Sequence, residues 1–407
     1  MRMTLFRLPT IRASVTLLSS LKQVSNIPTT TSSSTGAVSP ITSYKLPPEG
    51  ALRSSLFRSY FAMTVDTPKF HTTKCSQNPA PHSNFVKIVE VGPRDGLQNE
   101  KTIVPTKTKL ALIEKLSLTG LSVIEAGAFV SPKWVPQMAD TPQILQYLDK
   151  HPAGAAKSEG ITYPYLVPNL QGLERALGLG TTNLKEVAIF ASASEGFSQK
   201  NINCSIDESL ERFRPVLELC HDRGIRVRGY ISMIFSCPYD GPTPPTRVAE
   251  VTKMLLDMGC YEVSLGDTNG TGTPPLTSVL LTTLLSKPYS IPVSKLACHF
   301  HDTYNAALVN AMTALYLGVR VFDSSVAGLG GCPYSKGATG NVSTEDLIYF
   351  LHGMGVETGV DLEGVSRVGE WISRELGRAN GSKVGPTLLT RLRAEEERKE
   401  KEKDAKL

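Results

Sequence analysis

Residues Leu296–Leu308 read LACHFHDTYNAAL, and Val321–Asn341 read VFDSSVAGLGGCPYSKGATGN. The first stretch opens on an apolar run of strand length. In an extended strand, side chains two apart point the same way, so His299 and His301 project from one side with Phe300 opposite. A second apolar run, Val319–Phe322, leads into a glycine-rich loop that carries Cys332 and closes on Asn341. Such a loop can fold over a ligand held by the two imidazoles. Taken singly, each feature is ordinary: paired histidines can be core residues, and a lone cysteine is usually a small buried hydrophobe. Their coincidence at the ends of consecutive apolar runs is what a barrel enzyme needs, because its chemistry sits at the carboxyl ends of the strands.

From Val86 the chain alternates short β-branched runs with longer amphipathic ones, the pattern of repeated β-α units around a parallel sheet. The predicted strands are Val86–Val91, Ser122–Glu125, Ile161–Val167, Glu186–Phe190, Val227–Ile231, Glu262–Leu265, Leu296–His299 and Val319–Phe322. The predicted helices are Thr106–Leu118, Pro142–Leu148, Leu170–Leu177, Ile206–Cys220, Thr246–Met258, Thr277–Leu285, Ala306–Leu317 and Thr344–Met354, with a further one at Leu362–Leu376. Eight strand-helix pairs over about 270 residues match an α/β fold of the (β/α)8 TIM-barrel type. A doubly wound open sheet is the alternative, but it would more often carry G-x-G-x-x-G after its first strand, and none stands there.

Polar residues sit at the strand ends. VGPRDGLQNE supplies Arg94, Asp95 and Gln98; IEAGAFVSPKW begins with Glu125 at the end of strand two; SLGDTNG supplies Asp267. An Arg-Asp pair is often a surface turn and a strand-end Asp often a cap. Convergence on one barrel rim favours a site.

The ends differ from the middle. Residues 1–62 hold seven basic residues against one acid, Glu49, with a Ser/Thr-rich centre. That is the composition of an organelle transit peptide, a disordered leader directed to the mitochondrion. It accounts for more than the formal net charge of +5 and leaves the remainder near −1, so the basic balance implies no nucleic-acid partner. No apolar run has the ~18 residues that would span a bilayer, so no membrane partner is expected. The seven cysteines are scattered without a C-x-x-C pair, which fits free thiols. The expected organisation is the leader over 1–62, a linker over 63–85, the barrel with C-terminal helices over 86–380, and a charged tail over 381–407. From Arg391 that tail mixes seven basic and six acidic residues, a solvated helix or a disordered end. Ala405-Lys406-Leu407 is close to the S-K-L peroxisomal address, which points to a minor peroxisomal pool beside the mitochondrial matrix.

A carboxylate, two imidazoles and an amide oxygen form a mixed O/N shell suited to Mg²⁺ or Mn²⁺, whereas structural zinc would favour thiolates. The stretches VKIVEVGPRDGLQNE, SVIEAGAFVSPKWVPQM, NINCSI, YEVSLGDT, HFHDTYNAALVNAMTAL and GLGGCPYSKGATGN resemble the hydroxymethylglutaryl-CoA lyase family of metal-dependent barrels, over roughly Val86–Leu376. The resemblance implies a metal shell of Asp95, His299, His301 and Asn341, and a divalent cation as cofactor. It implies Arg94 as the group that binds the thioester carbonyl and its enolate, Gln98 as a substrate contact, Cys332 as the loop thiol of proton transfer, and Glu125, Asp267 and His299 as further catalytic residues. The implied reaction is retro-Claisen cleavage of a CoA thioester, 3-hydroxy-3-methylglutaryl-CoA, into acetoacetate and acetyl-CoA, in leucine breakdown and ketone-body formation, by a homodimer. Which of Asp267, His299 or Cys332 takes the first proton stays open. Two departures stand out: Phe300 replaces the Cys that some relatives carry between the histidines, and no cysteine follows Cys332, so thiol control near the C-terminus should be absent. A Claisen-type synthase, homocitrate or isopropylmalate synthase-like, would share the shell but lack the loop cysteine. An inactive scaffold barrel would not need the ligands.

Overall fold

The computed structural model describes residues 84–151, 160–331 and 340–405. The leader, Cys332 and the end of the Ala-Lys-Leu terminus lie outside the described residues.

Eleven strands are present among the described residues: β1 (Lys87–Glu90), β2 (Val123–Ile124), β3 (Gly127–Ala128), β4 (Tyr165–Leu166), β5 (Glu186–Ser192), β6 (Arg226–Ser232), β7 (Ser236–Cys237), β8 (Gly241–Pro242), β9 (Glu262–Asp267), β10 (Leu296–Phe300) and β11 (Val321–Ser324). β7 and β8 form a small antiparallel hairpin outside the main sheet. The other nine form one parallel sheet in the order β2-β1-β11-β10-β9-β6-β5-β4-β3. Its two ends are halves of one barrel position. The Glu125 amide still bonds to Glu90 of β1, while the Ala126 amide already bonds to Pro164 just before β4. The strand hands over from one neighbour to the next, and the sheet closes as an eight-position TIM barrel, not as an open doubly wound sheet.

Regular pairing in the third position shrinks to Tyr165–Leu166, because Pro164 has no N–H to give the ladder and Pro168 ends the run. Nine helices follow the expected spans to within a few residues, including α3 (Leu170–Leu177) and α10 (Leu362–Leu376) at the expected bounds. The sequence signals there are strong: Ser205 and Glu208 make a reciprocal capping box on the helix Ile206–Asp222, and Gly377 closes α10 in the left-handed region at φ 63°. Two helices were not expected as such. Glu195–Ile202 is short and polar, and Ser194 caps it. The helix Val384–Asp404 reaches well before Arg391, and its first turns pack on α10, burying Leu389.

One apolar cluster runs between strands and outer helices and includes Ile88, Ile124, Val187, Leu265, Leu296 and Phe322. Phe300 belongs to it, pointing outward from the barrel as the alternation required. Cys204, Cys220, Cys237, Cys260 and Cys298 are free and buried. Inside the barrel Arg228, Glu262, Ser264, His299 and Asp323 are buried and joined by hydrogen bonds. Apolar packing on the outer face holds the ring, and ion pairing fills its centre.

Candidate active site

The two histidines leave the end of β10 together. Their Nε2 atoms face each other at 3.3 Å, His299 as the last inward residue of the strand and His301 just beyond it, in a bridge with Asn341. Asp95 comes from a tight turn, Gly92–Gly96, that directly follows β1. Gly92 is required there, since a Cβ would stand 2.5 Å from the Glu90 carboxylate. One nitrogen from each histidine and one Asp95 oxygen lie within 4.8 Å of one another. Asn341 donates Nδ2–H to Asp95 Oδ2 at 2.9 Å and to the Leu329 carbonyl at 3.1 Å. Its Oδ1 is buried with no hydrogen-bond partner among the described residues.

These donors fit a divalent cation on their own chemistry. Two imidazole nitrogens at 3.3 Å and a carboxylate converge, and the Asn341 amide that bonds that carboxylate keeps a buried oxygen unmatched, which is costly unless something positive meets it. Burial pushes His301 down to about 4, with His299 beside it adding to the fall, so its ring is neutral and ready to ligate. Burial alone would raise the Asp95 carboxyl, but the Arg94 guanidinium and the two imidazoles hold it below the usual range. For His299 burial lowers the pKa, but the hydrogen bond to Asp323 together with the charges of Asp323 and Asp95 outweighs it and raises the ring above its ordinary value.

Arg94 is the cationic member. Its Nη1 donates to Asp95 Oδ1 at 2.7 Å and its Nη2 to Glu125 Oε2 at 2.7 Å, and Tyr230 Oη donates to the same Glu125 oxygen at 3.2 Å. Nε of Arg94 and Oε1 of Glu125 are buried without partners among the described residues. A fixed guanidinium with a spare donor is suited to an oxygen arriving in the cleft. Burial raises the Glu125 carboxyl in spite of Arg94.

Asp267 lies at the end of β9, but its two oxygens accept the Thr271 and Gly272 amides at 3.1 and 2.9 Å, so it also ties down its own turn. Burial pushes it up to about 6. Gln98 sits half-buried just after the Asp95 turn. Cys332 lies outside them. The glycine-rich approach to Asn341 is sterically obligatory at Gly340: at φ 108°, a Cβ there would lie 2.6 Å from the Gly330 carbonyl carbon.

Sequence reasoning missed Arg228, Tyr230, Ser264 and Asp323, which form a buried network beneath the histidines. The available signal was charge inside apolar runs, in VRGYI and VFDSS. The predicted last strand stopped at Phe322, one residue short of Asp323.

Residues 85–372 match the HMGL-like family model. The chain is 56% identical over 299 residues to the mitochondrial hydroxymethylglutaryl-CoA lyase of Bos taurus, covering 74% of this chain and 88% of that one. Other relatives of similar identity are named cytoplasmic lyases. The hydroxymethylglutaryl-CoA lyase structure from Pseudomonas aeruginosa superposes with a TM-score of 0.70 at 52% identity, covering 76% of this chain and 99% of that one. The Acinetobacter baumannii HMG-CoA lyase, in complex with coenzyme A and 3-methylmalate, superposes with a TM-score of 0.69 at 32% identity, covering 76% and 96%. With a closed barrel, a converging Asp-His-His cluster and a family match over most of its length, the chain belongs to the HMGL-like family.

Proposed function

We propose that this chain is a hydroxymethylglutaryl-CoA lyase, a carbon-carbon lyase that cleaves 3-hydroxy-3-methylglutaryl-CoA to acetoacetate and acetyl-CoA. The observation that carries the reading is the convergence of Asp95, His299 and His301 beside Arg94, with Asn341 bonded to Asp95, in a chain 56% identical to a named lyase. Those four side chains would hold Mg²⁺ or Mn²⁺, which when bound supplies Lewis-acid polarisation of substrate oxygens.

The chain's own residues account for the rest. The tertiary hydroxyl of the substrate gives up its proton, its oxygen becomes the acetoacetate carbonyl, the adjacent C–C bond breaks, and the electron pair leaves as the acetyl-CoA enolate. Arg94, immobilised by Asp95 and Glu125, offers its free donor to the thioester oxygen, where charge grows as the bond breaks. Asp267 suits the first proton transfer better than His299, because a carboxyl raised to about 6 is matched to neutral pH. His299 is committed at Nδ1 to Asp323. Cys332 then returns a proton to the enolate carbon. Gln98 stands near Arg94 as a substrate contact.

The coenzyme A complex of a relative at 32% identity supports a CoA thioester as the substrate. The basic leader, with relatives named mitochondrial, supports the mitochondrial matrix; the Ala-Lys-Leu end adds a minor peroxisomal pool, and the family resemblance alone carries a place in leucine breakdown and a homodimer. The test is acetoacetate release from 3-hydroxy-3-methylglutaryl-CoA, with and without Mg²⁺ or Mn²⁺ after chelation. Cleavage that needs the cation is expected. No release under either condition would overturn the reading.

A further inference from the structure

Beneath the histidines, His299 and Asp323 are register partners on the adjacent parallel strands β10 and β11, and both side chains point into the barrel. His299 Nδ1 lies 3.2 Å from Asp323 Oδ2. Every other group on that carboxylate donates to it. Arg228 Nη2 reaches Oδ1 at 2.8 Å, Arg228 Nη1 reaches Oδ2 at 3.2 Å, and Ser264 Oγ reaches Oδ2 at 2.7 Å. Arg228 is held in turn by Glu262, whose Oε1 accepts from Nε at 2.8 Å, and by the Tyr230 hydroxyl at 2.8 Å from Nη1. A carboxylate gripped by a guanidinium from one side has no proton to give, so the imidazole facing it must be the donor. The proton therefore belongs on Nδ1. Nε2 is left with its lone pair, 3.3 Å from His301 Nε2 and 4.0 Å from Asp95 Oδ2.

We infer that Asp323, held as an acceptor by Arg228 and Ser264, is the positioning residue that locks His299 as the Nδ1–H tautomer and so presents its Nε2 lone pair to the cation site. Asp323 touches none of the reacting atoms; it acts through His299. A competing role is as counter-charge to Arg228 alone, in which case the tautomer of His299 would not depend on it. The inference rests on the metal reading of the site, but the tautomer is a property of the metal-free chain and can be measured without turnover.

The experiment takes full-length protein labelled with ¹⁵N-histidine, stripped of metal, at a pH alkaline enough to neutralise the rings. His299→Gln identifies the resonances by their loss. Long-range ¹H–¹⁵N correlation of the unaltered protein should show His299 with a protonated Nδ1 and an unprotonated Nε2. An Nε2–H form, or averaging between the two, overturns the proposal. Titration with Mn²⁺ alone, followed by its electron paramagnetic resonance, then compares the unaltered protein with Asp323→Asn. The expected loss of affinity is about 10–100-fold, the usual effect of removing a partner that orients a ligating histidine. Ser264→Ala, which leaves the His299 contact in place, should keep the tautomer. A folded Asp323→Asn protein that binds Mn²⁺ as tightly as the original overturns the proposal. Absent Mn²⁺ binding in the unaltered protein would instead remove the metal reading and leave the tautomer result standing.

Discussion

Asn341 and Asp95, 246 residues apart, are joined by a 2.9 Å hydrogen bond in which the amide Nδ2 donates to the carboxylate. That bond, with a second from Nδ2 to the Leu329 carbonyl, fixes the amide and leaves its Oδ1 buried without a partner among the described residues. Asn341 thus orients one candidate ligand while offering another. Asn341→Ala should weaken Mn²⁺ binding by about 10-fold or more, by comparison with the loss of an orienting partner alone. Calorimetric titration measures it, and unchanged affinity would take Asn341 out of the shell.

The strand alternation separates two functions three residues wide. His299→Ala or His301→Ala should lower cation affinity with little change in folding, whereas Phe300→Ala, cut from the apolar layer outside the barrel, should cost about 3–5 kcal/mol of stability and leave affinity alone. Urea unfolding beside metal titration distinguishes them. A large affinity loss in Phe300→Ala would mean the ring supports the site directly.

Arg94→Lys keeps the charge but cannot reach Asp95, Glu125 and a substrate oxygen with the same planar fork. It should lower kcat by about 10²–10³, the range seen when one donor to a developing oxyanion is lost, with a smaller effect on KM. Steady-state kinetics at saturating cation tests this. An effect on KM alone would make Arg94 a ground-state binder.

Stability should fall as pH rises from weakly acidic to weakly alkaline. Burial pushes Glu345 from its ordinary 4.5 up to about 8, and Glu90 up to about 7 despite hydrogen bonds from Thr344, Val326 and Gly92. Both carboxyls hold protons in the folded chain that the unfolded chain has already released, so stability is full below about 4.5 and is lost as pH passes through 7 to 8. Glu345→Gln, which keeps an acceptor for the Ala327 amide, should flatten that decline. Thermal unfolding of the metal-free protein across this range measures it; the same slope in the variant would assign the decline to other groups.

Much of this protein was determined locally and could be read directly. The period-two alternation through Leu296–His301 placed two imidazoles on one side and Phe300 on the other, and the β-α rhythm from Val86 specified eight barrel positions, because both follow from backbone geometry that neighbouring residues set among themselves. The leader's charge and the family resemblance likewise needed no coordinates. What only the folded ring decided is which distant groups meet. Closure brings Asp323 to His299, Arg228 to Asp323 and Asn341 to Asp95, across separations that no local pattern encodes. The same closure explains how Asp323 and Arg228 can stand in apolar runs: the outer face of each strand meets helices, while the inner face meets only other strands, where a charge is tolerated when its partner arrives from across the barrel.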